Sequence, residues 1–205
     1  PMPNDGLASP QPLTDTCFMP HNTQLTGQFL IAMPNLADPN FFHTVTYMCE
    51  HSPAGAMGLV INRPTELTLG ELAEQLNIEI TEAEMMHVPI YQGGPVQTDR
   101  GFVLHQPGGE WDNSMQVTPV VSLTMSQDIL EAIAQGVGPE KYLIMLGYAG
   151  WGEGQLEEEL VANAWLNGPA NMPIIFDTPA ESRWTAAAAH LGVELNLLSN
   201  DVGHA

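Results

Sequence analysis

Lysine and arginine are nearly missing from this chain. Only Arg63, Arg100, Lys141 and Arg183 stand against 24 carboxylates, giving a formal net charge of −20 over 205 residues. Nucleic-acid binding rests on Lys and Arg neutralising phosphates, and four scattered cations form no basic stripe. The long-range field of so acidic a chain repels polyanions. Direct contact with DNA, RNA or an anionic membrane is therefore not expected. A basic protein partner, a neutral small molecule or a cation is compatible with the charge. The acidity also keeps a protein soluble, which is what net charge speaks to most directly.

Cysteine is scarce too. Cys17 and Cys49 are too few for a disulfide framework, and reduced thiols point to a cytoplasmic location. No apolar run approaches the ~20 residues that a membrane span needs. The first 24 residues carry five prolines and no Lys or Arg, so they lack the basic start and apolar middle of a signal peptide. They read as a disordered tail over 1–24, followed by a single domain over 25–205. Catalytic signatures are missing as well: there is no Gly-x-Ser-x-Gly elbow, no P-loop Lys-Ser/Thr pair and no third glycine of a dinucleotide fingerprint. His-Glu-x-x-His, Cys-x-x-Cys and His-x-His spacings are not found, so no metal and no cofactor is expected. Cys49 beside Glu50 is disfavoured as a thiolate and reads as packing.

What is present is a regular alternation of short elements. Phe29–Met33 is an apolar strand. Val45–His51 is a second, with Val45, Tyr47, Cys49 and His51 on one face and Thr46, Met48 and Glu50 on the other. Ser52-Pro53-Ala54-Gly55 turns it into a third strand over Ala56–Asn62, a hairpin. Thr68 and Glu71 form a capping box that starts a helix through Leu76. Further strands are expected at Val88–Gln92, Arg100–Gln106, Val117–Leu123, Tyr142–Leu146 and Pro173–Phe176. A helix capped by Thr124 or Ser126 runs to about Ala134, and another runs from Ala180 to Leu191 with Gly192 as its cap. The mixture predicts one α+β (mixed α/β) domain with a mixed or antiparallel sheet.

The densest block is Gly147 to Leu160. Four glycines and the aromatics Tyr148 and Trp151 read as a rigid turn, running into a helix from about Gln155 to Trp165. At 100° per residue, Leu156, Leu160, Val161, Ala164 and Trp165 share one face. Glu157 points into the middle of that face, and Glu158 and Glu159 point away. A carboxylate there must be paired, hydrogen-bonded or lining a pocket. Either a site carboxylate or a structural ion pair fits, with Arg100 as the first choice of partner. His51 and His105, which each close a strand, could join a site but read more simply as hydrogen-bonding histidines. Candidate cleft or structural-site residues are thus Glu157, Arg100, His51, His105, Trp151, Gln155 and Asn62, with no catalytic role assigned to any of them. Four carboxylates within seven residues make the block a poor phosphate cradle.

The segments Phe29-Leu30-Ile31-Ala32-Met33-Pro34, Glu50-His51, Gly55 to Asn62, Gly93-Gly94-Pro95-Val96, Arg100 to His105, Gly147 to Leu160 and Gly203-His204-Ala205 stand in one collinear order. In them the chain resembles the AlgH/YqgE family of uncharacterised bacterial proteins, from about Leu25 to Ala205. The motif pattern carries over Glu157 and Glu159 but not Glu158. The resemblance implies a compact α/β fold whose bifurcated sheet curls into a pseudo-barrel with peripheral helices. It also implies a regulatory label, linked to alginate production and transcription, but brings no catalytic residue, cofactor or substrate. Set against the charge, that label points to a regulatory or interaction protein acting through a protein partner or ligand rather than on DNA. The alternative is an enzyme or small-ligand binder with a site near Gly147–Leu160.

Overall fold

Ten strands and six α-helices follow one another along residues 24–198, the part of the chain that the computed structural model describes. The expected tail over 1–24 (Gln24 apart), Cys17 and the closing Gly203-His204-Ala205 lie outside the described residues. The strands are β1 (Gln28–Ala32), β2 (Val45–Ser52), β3 (Gly55–Val60), β4 (Pro64–Thr68), β5 (Pro89–Gln92), β6 (Val96–His105), β7 (Ser114–Thr118), β8 (Val121–Thr124), β9 (Tyr142–Trp151) and β10 (Trp165–Pro169). The helices are α1 (Leu69–Leu76), α2 (Gln127–Ala134), α3 (Gln155–Val161), α4 (Met172–Phe176), α5 (Arg183–His190) and α6 (Leu195–Leu198).

The sheet runs in the order β10-β1-β2-β3-β9-β6-β8-β7, all antiparallel. It bifurcates along β9. The first half, Ile144–Leu146, pairs in parallel with β5, which in turn pairs with β4. The second half, Ala149–Trp151, pairs with β3 instead. The switch falls at Gly147, whose φ is +75°. There two glycine segments meet backbone to backbone. A Cβ on Gly147 would sit 2.4 Å from the Gly94 carbonyl oxygen, and one on Gly94 2.1 Å from the Tyr148 carbonyl carbon. The two glycine-rich segments of the sequence are thus one crossing point.

The sheet curls until its ends approach. Thr118 at the end of β7 comes so close to Gly27, just before β1, that a Cβ there would lie 2.5 Å from the Thr118 methyl. Inside the curl lies the main core, with Phe29, Tyr47, Leu59, Phe102, Leu104 and Met145 fully buried or nearly so. Burying each such side chain is worth about 1.5–3 kcal/mol. The α4–α6 segment stops one end of this half-barrel: Trp184 Nε1 donates to the Ala32 carbonyl at 2.9 Å, and the buried Arg183 donates to the carbonyl of Ile61. The helices α1 and α2 cover the outer face of β5, β6 and β9 through Leu69, Leu72, Ile129 and Ile133. The opposite end of the half-barrel is open.

Four expectations are corrected. Gly147–Trp151 is strand, not turn; the turn is Gly152-Glu153-Gly154. The helix after it stops at Val161, because Asn163 takes a left-handed φ of +55° and Ala164 N–H bonds back to the Glu159 carbonyl. Trp165 therefore opens β10 instead of closing a helix. Finally, Pro173–Phe176 is helix α4: Asn171 accepts from Ile174 N–H and proline suits the first turn. The Val117–Leu123 run also divides into β7 and β8 about Pro119-Val120.

Candidate functional site

A β-bulge in β2 decides which side chains face where. Tyr47 pairs with Leu59 and Met48 with Gly58, but Glu50 pairs with Met57, so the register slips at Cys49. Side chains alternate with a period of two, and one extra residue inverts everything beyond it. Glu50 therefore turns to the concave face with Met57. His51 turns to the other face with Ala56, the reverse of what simple alternation predicts.

On that outer face His51 is fixed from both nitrogens. Leu25 N–H donates to Nδ1 at 3.1 Å, which requires Nδ1 to be bare. Nε2 then carries the proton and donates to Glu157 Oε1 at 2.8 Å. The ring is buried, whereas Glu157 is half exposed, at 49% for its side chain. The His51 hydrogen bond, chiefly, holds the Glu157 carboxyl below its ordinary range. Glu157 thus does not point into an apolar face and is not paired with Arg100. The short helix α3 turns only Leu156 fully inward, and Arg100 sits across the sheet on β6.

The inward carboxylate is Glu159. Its Oε2 accepts from Trp151 Nε1 at 3.0 Å and from Trp165 Nε1 at 2.8 Å, and its Oε1 from Gln155 Nε2 at 3.0 Å. Gln155 also accepts from Gly152 N–H at 3.1 Å, closing the turn. Trp151 and Trp165 stand edge to face at 6.1 Å. Trp151 and Gln155 therefore tie down α3, and Trp151 also borders the cleft at the open end of the half-barrel.

His105 and Asn62 are engaged as well. His105 is 2% exposed. Its Nδ1 donates to the Gln106 carbonyl at 2.7 Å, and Nε2 lies 2.8 Å from Thr124 Oγ1. Burial pushes its pKa down against the opposing pull of the Gln106 bond. Asn62 accepts from Val45 N–H and donates to the His43 carbonyl, both at 2.9 Å, pinning the loop before β2. Burial raises the Cys49 thiol well above its ordinary value, so no thiolate is at hand.

The cations divide unevenly. Lys141 pairs with Asp177. Arg183 is buried on carbonyls and over the Tyr91 ring at 5.3 Å. Arg63 grips the carbonyls of Asn40 (2.7 Å) and Phe42 (3.0 Å). Arg100 alone has soft partners: Gln97 Oε1 at 3.3 Å, the Met125 sulfur at 3.6 Å and the face of Phe102 at 5.5 Å. Among the described residues it makes no ion pair with a carboxylate.

Arg100 lines the open end of the half-barrel, a cleft of about 550 Å³. One wall is β2 and β3, with Glu50, Ser52 and Met57; the other is β6 to β8, with Arg100, Phe102, Met115, Leu123 and Met125. Tyr148 and Gly150 of β9 form the floor. Gly150 leaves that floor bare where any side chain would intrude: a Cβ there would already press on the Tyr148 ring at 3.2 Å. A glycine within a strand often marks such a close approach.

The AlgH-like family profile matches residues 29–196. The chain belongs to the AlgH-like family. It is 57% identical over 187 residues to a UPF0301 protein of Thioalkalivibrio sulfidiphilus, covering 91% of this chain and all of that one. It is 54% identical over 183 residues to a UPF0301 protein of Paraburkholderia phytofirmans, covering 88% and 95%. The solution structure of the AlgH protein from Pseudomonas aeruginosa matches with a TM-score of 0.74 at 56% identity, over 90% of this chain and 97% of that one. A Corynebacterium diphtheriae crystal structure shares the fold at 18% identity, with a TM-score of 0.67 over 89% and 95%. The mixed α/β single domain with a curled sheet is therefore this family's fold.

Of the residues singled out from sequence, this AlgH-like chain brings together His51 with Glu157, and Trp151 with Gln155. Arg100 and Trp151 line the cleft; His105 and Asn62 stand apart from it. Met57, Met115, Met125, Phe102, Tyr148 and Glu50 went unnoticed as cleft residues. The signal available was 11 methionines in one chain, since methionine suits adaptable binding surfaces.

Proposed function

We propose that the protein is a non-catalytic regulatory protein that binds a small apolar ligand in the open end of its half-barrel. The observation that carries this reading is the cleft of about 550 Å³ walled by Met57, Met115, Met125 and Phe102 over the bare Gly150 floor. Its volume lies within the ~300–1,000 Å³ usual for small-molecule sites, which favour the mouths of curled sheets. Flexible thioethers reshape around ligands of varied form. Against an enzyme stands the use made of the two candidate histidines and of Glu157. Both nitrogens of His51 and of His105 are occupied, and Glu157 is spent on His51.

Regulation on this reading passes through the ligand and a protein partner, not through DNA. Three of the four cations are committed to internal contacts, and a −20 chain repels phosphates. No helix of the described residues is long and apolar enough to cross a membrane. The test is a melting screen of the full chain against small apolar compounds, run beside Gly150→Val, which fills the floor. Compounds should raise the wild-type melting temperature and leave the variant unmoved. A screen in which none does so, or in which both proteins shift alike, would sink the reading.

A further inference from the structure

We infer that the ligand of this cleft carries a single carboxylate on an apolar body, and that Arg100 is the residue that recognises it. The inference rests on the small-ligand reading above and adds its chemistry. An arginine in a chain with 24 carboxylates has every opportunity to find one. Arg63 and Arg183 are tied to backbone carbonyls, and Lys141 to Asp177. Arg100 instead stands over Phe102, 5.5 Å from the ring centre, held by an amide oxygen at 3.3 Å and a sulfur at 3.6 Å. Both acceptors are uncharged, at distances beyond those of charge-assisted bonds. They engage two of its nitrogens without satisfying its five donors. The Phe102 face beneath it is part of the cleft, so the fork and the apolar wall address the same volume.

The choice of anion follows from the rest of the wall. A planar fork matches a carboxylate through two parallel hydrogen bonds. A phosphate monoester would bring up to a second negative charge into a cleft whose facing wall carries Glu50, in a chain already at −20. No second cation lines the cleft to offset it. The apolar body falls between Met57 and Met115 over Gly150, with Val96 and Leu123 beside them. A long-chain or aromatic monocarboxylate meets both demands.

The test is calorimetric titration of the full chain with decanoate, decanol and decyl phosphate, each below its micelle-forming concentration. Decanoate should bind at least about tenfold more tightly than decanol, the size of one charge-assisted bidentate contact. Decyl phosphate should bind more weakly than decanoate, and Glu50→Gln should narrow that gap. Arg100→Gln, at an exposed position that leaves the core intact, should bring decanoate down to the level of decanol without changing decanol. Arg100→Lys, which keeps the charge but loses the fork, should fall between. Decanol binding as well as decanoate, or Arg100→Gln retaining decanoate, overturns the recognition of a carboxylate and leaves the apolar cleft standing. Decyl phosphate binding most tightly overturns the choice of anion. Failure of all three ligands to bind overturns the small-ligand reading together with this one.

Discussion

Trp151 at the end of β9 and Trp165 at the start of β10 give their indole N–H groups to one oxygen of Glu159, at 3.0 and 2.8 Å. Both rings are nearly buried, at 6% and 4% exposure. This three-residue clamp fastens α3 across the two strands that flank it. Hydrogen bonds to a charged group are worth about 1.5–3 kcal/mol, and an orphaned buried donor costs about as much. Glu159→Ala should therefore destabilise the protein by about 2–4 kcal/mol. Glu159→Gln, which keeps an acceptor oxygen, should cost about half as much. Urea unfolding midpoints measure both. An alanine variant within ~0.5 kcal/mol of wild type would mean that the indoles do not depend on Glu159.

The clamp also shows where reading the sequence stops. A wheel over Gln155–Trp165 puts Glu157 inside and Glu159 outside, because it assumes the helix continues. It ends at Val161, and the residue that ends it, Asn163, carries an ordinary side chain whose left-handed backbone is set by the tertiary structure. Local chemistry fared better. The Thr68–Glu71 capping box and the helix Leu69–Leu76 form as expected, since every bond in the box lies within four residues. The β2–β3 hairpin also forms about Pro53-Ala54. The bulge at Cys49 is different in kind: it exists only relative to the partner strand, and no periodicity within β2 announces it. It carried Glu50 into the cleft and His51 out of it. The cleft itself is assembled from β2, β3, β6, β7, β8 and β9, so no contiguous segment could display it.

The crossing of the two glycine segments makes a graded prediction. Gly94 (φ +157°) and Gly147 (φ +75°) both lack room for a methyl group, with backbone atoms 2.1 and 2.4 Å from where a Cβ would stand. Backbone cannot step aside as a side chain can. Gly94→Ala and Gly147→Ala should each cost more than ~3 kcal/mol, the scale of overpacking plus left-handed strain. Gly154 has a similar φ, +73°, but nothing within 4 Å. Gly154→Ala should cost only the conformational penalty, about 1–2 kcal/mol. Melting temperatures of the three variants should separate accordingly; equal losses would show that backbone crowding at the crossing is not what sets the cost.

His105 predicts a pH dependence. Its pKa is lowered chiefly by burial, so near neutrality the folded protein holds it neutral while the unfolded chain takes up a proton below about pH 6.5. Its contribution is complete above that value and is lost as pH falls toward the folded pKa. Wild type should lose stability between pH 7 and pH 5 more steeply than His105→Gln, whose side chain does not titrate. Parallel pH profiles of the unfolding midpoint would refute this account.

The His51–Glu157 pair predicts an asymmetry between its two members. Glu157 is half exposed, so its bond from His51 Nε2–H is screened and worth at most about 1 kcal/mol. His51 also supplies the acceptor for Leu25 N–H, a buried bond of 3.1 Å. Glu157→Gln at pH 7 should therefore cost less than about 1 kcal/mol, whereas His51→Ala should cost about 2–3 kcal/mol by orphaning that amide and opening space around it. Acid removes the Glu157 share. The folded Glu157 carboxyl titrates below its unfolded value of about 4.3. Its contribution is thus full above that pH and is lost as pH falls through the folded pKa. The difference between wild type and Glu157→Gln should shrink toward zero in acid. The loss from His51→Ala at pH 7 comes instead mainly from the amide and the packing. Urea titrations of both variants at pH 7, and of Glu157→Gln near pH 3.5, test this. A His51→Ala loss no larger than that of Glu157→Gln would show the ring to be held by its carboxylate alone, and the Leu25 bond to contribute nothing.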